Sequence, residues 1–81
     1  MVAMPLPPSP VHPEYSRLAA RMRELRAERG LTYEQLAERA GLSRRGVIEL
    51  EQGRSSGTLR GWYSIAIALG VPFSEFVAVL D

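Results

Sequence analysis

The chain has 81 residues, with ten basic and nine acidic side chains, one histidine and a net charge of +1. That length implies one small domain with a modest core and a stability of several kcal/mol. The absence of cysteine excludes disulfide, zinc–thiolate and thiol chemistry, and the single His12 leaves no material for a Ser-His-Asp triad or a histidine metal cluster.

Residues Met1 to Pro13 contain Pro5, Pro7, Pro8, Pro10 and Pro13, which rule out a helix or a central strand. They read as a flexible, proline-rich arm. An arm that follows DNA needs basic side chains, and this one has none before Arg17. Residues 14–81 form the folded unit. From Pro13 to Arg29 the sequence suits a first helix, with Tyr15, Leu18, Met22 and Leu25 on one stripe and Gly30 as its stop. Thr32 and Gln35 have capping-box spacing and open a second helix, whose buried face holds Leu36, Ala37 and Ala40. Gly41 ends it. Ser43 caps a third helix running to about Gln52, and Gly53 stops that one. GRSSG is a loop. Thr58 caps a fourth helix in which Leu59, Trp62, Ile65, Ala66 and Leu69 share a face. Pro72 opens a short fifth helix containing Phe73, Phe76, Val77 and Leu80. There is no sustained strand-like alternation and no internal repeat.

The longest apolar stretch, Ile65 to Phe73, is too short and too interrupted to span a bilayer. The N-terminal prolines spoil any signal-peptide core. A soluble, cytoplasmic protein is the expectation.

The segment Thr32 to Glu51, TYEQLAERAGLSRRGVIELE, carries most of the functional information. Two short helices can cross closely when the contact residue is as small as Ala37 and the turn between them holds a glycine, here Gly41. On a helical wheel of about 100° per residue, Val47 and Leu50 face inward. Arg45, Ile48, Glu49 and Gln52 face outward, and Arg44 lies at the N-terminal edge. That outward face is where a recognition helix meets the edges of bases.

The stretches RELRAERGLTYEQLAERAGLSRRGVIELEQG and IAIALGVPFSEF resemble the Cro-type phage-repressor (xenobiotic-response-element) helix-turn-helix family, from Leu18 to about Phe76. The resemblance implies an all-α, compact five-helix, lambda-repressor-like DNA-binding domain. It places base-reading positions on Arg44, Arg45, Gly46 and Glu49. It places DNA-backbone contacts on Thr32, Tyr33 and Arg54. It also implies a structural ion pair between Arg26 and Glu51, which removes both from the list of DNA contacts.

Three positions depart from the family pattern. Tyr33 stands where glutamine is common, and its phenol can donate to a phosphate but cannot brace a neighbour as an amide does. Glu49 brings negative charge to the reading face, to accept from a cytosine amine or to neutralise an arginine. Gly46 lies inside a helix at a cost of about 1 kcal/mol relative to alanine; it permits close approach to the duplex, or nothing larger was needed there.

All ten basic residues are arginine. Arginine suits bidentate contacts to phosphate and guanine, but a GC-rich coding sequence explains the bias more simply. Trp62 reads as a core residue. Tyr63, Ile67, Phe73 and Val77 form an apolar patch beyond the family pattern. It marks a twofold dimer interface, or a seat for the Met1–Pro13 arm.

The expectation is a sequence-specific transcriptional regulator, a repressor acting as a homodimer on a near-palindromic operator of double-stranded DNA. Two alternatives remain open: an antitoxin that binds a toxin partner and represses its own operon, and a protein-interaction module without DNA binding. No catalytic constellation, cofactor site or metal site is expected.

Overall fold

The computed structural model describes residues 14–81, and all of its regular elements are helical. In chain order they are α1 (Tyr15–Glu28), α2 (Tyr33–Ala40), α3 (Arg44–Glu51), α4 (Leu59–Leu69) and α5 (Phe73–Val77), followed by a 3-10 turn over Ala78–Leu80. The proline-rich arm lies outside the described residues.

Local chemistry sets where these helices begin. Thr32 Oγ1 accepts from the Gln35 amide at 3.1 Å, and Gln35 Oε1 accepts from the Thr32 amide at 2.9 Å, a complete capping box. Ser43 Oγ accepts from the Gly46 amide and Thr58 Oγ1 from the Gly61 amide, each at 2.9 Å. Each cap satisfies an amide that has no acceptor within its own helix. Between α2 and α3, Gly41 adopts φ +68°, a left-handed turn that glycine reaches without penalty. Its amide and that of Leu42 close the end of α2 onto Glu38 and Ala37.

All five helices, with Leu31 between α1 and α2, contribute to one core. Leu18, Met22, Leu25, Leu31, Leu36, Ala37, Val47, Leu50, Trp62, Ile65, Ala66, Leu69 and Phe76 are buried together. Helix α2 packs on both α3 and α4, and α1 crosses behind α3, α4 and α5. The rings of Trp62 and Phe76 lie 6.0 Å apart between α4 and α5.

Three sequence expectations need correction. Leu59 is not on the buried face of α4: it is 74% exposed. It is the first helical residue, ahead of the turns that α1 and α2 cover, and it extends the exposed strip of Tyr63 and Ile67 at spacings of four. Ala40 is half-buried rather than part of the sealed core. The fifth helix stops at Val77, and Leu80 sits in the tighter 3-10 turn.

Candidate nucleic-acid interface

Helix α3 has a sealed inner face and an open outer one. Val47 and Leu50 are buried on the inside. Arg44 and Arg45 stand at its N-terminal end with side chains 58% and 90% exposed. Gly46, Ile48 and Glu49 are half-buried and Gln52 is exposed. The flat surface at Gly46 is coupled to the cap: a Cβ there would lie 3.1 Å from Ser43 Oγ, the atom that accepts the Gly46 amide. The same third position holds Gln35 beneath the Thr32 cap, so the cap alone does not require glycine there.

The start of α2 lies beside that of α3. Thr32 and Glu34 are exposed and Tyr33 is half-buried. Arg44 Nε donates to Glu34 Oε1 across the two helices. The Glu34 carboxyl is held below the ordinary glutamate range, first by its own backbone N–H at the helix start and then by the Arg44 guanidinium. Along α3, Arg45 Nε lies 3.6 Å from Glu49 Oε1, one helical turn away. Both exposed arginines therefore turn Nε toward a carboxylate, Arg44 through a hydrogen bond and Arg45 through a longer ion contact. Arg54 is exposed in the loop after α3, with its amide donating to the Glu49 carbonyl at 2.9 Å.

Behind α3 the charges do different work. Glu51 is 3% exposed, and its carboxylate accepts from Arg26 Nε at 3.1 Å and Nη2 at 3.0 Å. Arg26 Nη1 donates to the Leu31 carbonyl at 3.0 Å. The hydrogen bond to Glu51 raises the Arg26 pKa above its ordinary value, against the opposing effect of burial. Arg23 adds a second cation, with Nε 3.9 Å from Glu51 Oε1. The Arg26 guanidinium also sits 4.2 Å above the Tyr33 ring, and the Arg44 guanidinium is 6.0 Å from the same ring. Tyr33 thus lies between the Arg26–Glu51 pair and the exposed Arg44.

Sequence reasoning missed the Glu34–Arg44 pair, the Tyr33 stacking and the second cation at Glu51. Only the Arg45–Glu49 spacing carried a local signal. On α4, Tyr63 and Ile67 are 53% and 55% exposed, while Phe73 and Val77 are half-buried beside the core. The Tyr63 and Phe73 rings meet at 5.5 Å. Among the described residues no group of side chains is placed to hold a metal ion, and no single helix is long and apolar enough to cross a membrane.

The family model HTH_3, helix-turn-helix, matches residues 22–76. An uncharacterized HTH-type transcriptional regulator of Methanothermobacter thermautotrophicus is 48% identical over 60 residues, covering 74% of this chain and 87% of the relative. The Escherichia coli HTH-type transcriptional regulator SutR is 36% identical over 61 residues, covering 75% of this chain and 34% of SutR. Among solved structures, the restriction-modification controller protein C.AhdI from Aeromonas hydrophila aligns with a TM-score of 0.73 and 33% identity, over 78% of this chain and 96% of that one. The clp gene regulator ClgR from C. glutamicum aligns at 0.74 with 29% identity, over 89% and 91%. With α2 and α3 arranged as described and the match spanning most of the folded residues, the chain belongs to the Cro/C1-type helix-turn-helix family of DNA-binding transcriptional regulators.

Proposed function

We propose that this chain represses transcription as a homodimer on a near-palindromic operator. Arg44, Arg45, Gly46 and Glu49 meet base edges in the major groove. Thr32, Tyr33 and Arg54 hold the phosphate backbone on either side. The observation that carries this reading is the pair of exposed arginines at the open end of α3, beside the capped start of α2. Arginine offers paired donors to guanine O6 and N7, worth about 1–3 kcal/mol of discrimination per good contact. A helix start offers amides to phosphate.

Two-fold symmetry would set two copies of α3 in successive major grooves, roughly 34 Å apart. The exposed strip of Leu59, Tyr63 and Ile67, with Phe73 and Val77 at its edge, is the surface for that pairing. The same strip also suits a different protein partner, such as a toxin in an antitoxin arrangement. Self-association of the purified chain distinguishes these readings.

The test is binding of the purified protein to the DNA upstream of its own gene, at low and moderate salt, beside Arg45→Ala. Tight, footprinted binding that the substitution abolishes supports a base-reading repressor. Weak binding, equal on random duplex and indifferent to the substitution, sinks that reading and points to a protein partner.

A further inference from the structure

Arg44 opens α3, and Glu34 is the second residue of α2. Their ten-residue separation is closed by the turn at Gly41, so that Arg44 Nε donates to Glu34 Oε1. The carboxylate is itself placed by the first turn of α2, whose cap is fixed by Thr32 and Gln35. Tyr33 lies 6.0 Å from the same guanidinium. Arg44 is thus restrained from two sides, although its side chain is 58% exposed.

A guanidinium held through Nε keeps Nη1 and Nη2 available as an end-on pair of donors. That pair matches the O6 and N7 acceptors of guanine. A free arginine at the same place can swing to any nearby phosphate, which adds affinity without sequence information. The carboxylate also has the opposite effect on overall binding. It places a negative charge beside the phosphates and weakens attraction to every duplex alike.

We propose that Glu34 is a specificity-determining positioning residue, which holds Arg44 Nε so that the Nη edge is committed to one base pair at the expense of general affinity. This inference rests on Arg44 as a base reader.

The test uses the full chain and a duplex enriched from a random library by the wild-type protein, with every position of one half-site substituted in turn. Arg44→Ala should flatten the preference at one G·C pair by about tenfold. Glu34→Ala should flatten the same pair by about fivefold, while binding to an unrelated duplex tightens by about twofold. Glu34→Gln keeps an oxygen acceptor for Nε and should restore most of the preference. A misplaced helix would weaken binding to all duplexes together, so opposite movements of specificity and general affinity separate positioning from damage. Unchanged preference at that pair in Glu34→Ala, or uniform weakening on every duplex, overturns the inference. If Arg44→Ala leaves every base preference intact, base reading by Arg44 fails and the inference falls with it. If Arg44→Ala flattens the pair and Glu34→Ala does not, only the positioning role of Glu34 falls.

Discussion

Trp62 occupies the space that a side chain at Gly57 would need. A Cβ on Gly57 would stand 2.9 Å from Trp62 Nε1 and 2.6 Å from Leu50 Cδ2. The indole N–H donates to the Ser56 carbonyl at 2.8 Å, so the ring fastens the loop that carries Arg54 to the core. Gly57 also has φ +71°, where a side chain is strained. Gly57→Ala should therefore cost about 2–4 kcal/mol, combining overpacking with backbone strain. Urea unfolding followed by the emission of Trp62, the only tryptophan, measures it. A cost below about 0.5 kcal/mol would mean that the loop moves aside freely.

Glu51 balances Arg26 in a place water barely reaches. Glu51→Ala would leave that guanidinium with one hydrogen-bond acceptor, the Leu31 carbonyl, beside the Tyr33 ring, and Arg23 would lose its nearby anion. Because Arg26 keeps 21% of its side-chain surface exposed, the expected loss is about 2–4 kcal/mol, toward the lower side of values for fully buried pairs. Replacing both partners by apolar residues, Arg26→Met with Glu51→Leu, should recover much of the loss. Denaturant midpoints of the three chains test this. An equal loss in the single and double variants would argue against an uncompensated charge as the cause.

Tyr63→Asp with Ile67→Asp tests the dimer. Both side chains are more than half exposed, but Tyr63 packs its ring on Phe73 and aspartate is a poor helix former, so the folded monomer should lose about 1–2 kcal/mol and remain folded. Sedimentation velocity should show the wild-type chain as a dimer and the variant as a monomer at the same concentration. A wild-type chain that is monomeric at micromolar concentration removes this surface from the proposed pairing.

The lowered pKa of Glu34 gives a pH dependence with a definite sign. A carboxyl whose folded pKa lies below its unfolded value stabilises the fold at pH above about 4.3, and that contribution disappears as pH falls through the folded value. The melting-temperature difference between wild type and Glu34→Gln should be flat from about pH 6 to 8 and should shrink in acid as pH falls through the lowered carboxyl range. A difference that grows on acidification would reverse the sign and contradict the stabilised carboxylate at the start of α2.

The helix boundaries were legible because their causes are local. Thr32, Ser43 and Thr58 each cap an amide three residues ahead, a spacing visible in the chain itself. The all-helical, five-helix architecture followed from those caps and from the apolar spacing. Leu59 misled because its wheel position suits the core while its place at the helix end lies beyond the covering helices. The Glu34–Arg44 pair was invisible because it depends on how α2 and α3 cross, not on any spacing within a helix. Gly57 looked like an ordinary loop glycine, since the obstruction that requires it comes from Trp62 on the next helix.

The buried anchorage of Glu51 by Arg26 lies behind α3, whereas Arg45 stands on its far side almost fully in solvent. Under the proposed reading, the aim of the helix and the choice of sequence fall on different faces of α3. Operator preference can then drift by single substitutions at Arg45 or Glu49 without loosening the anchor that aims the helix.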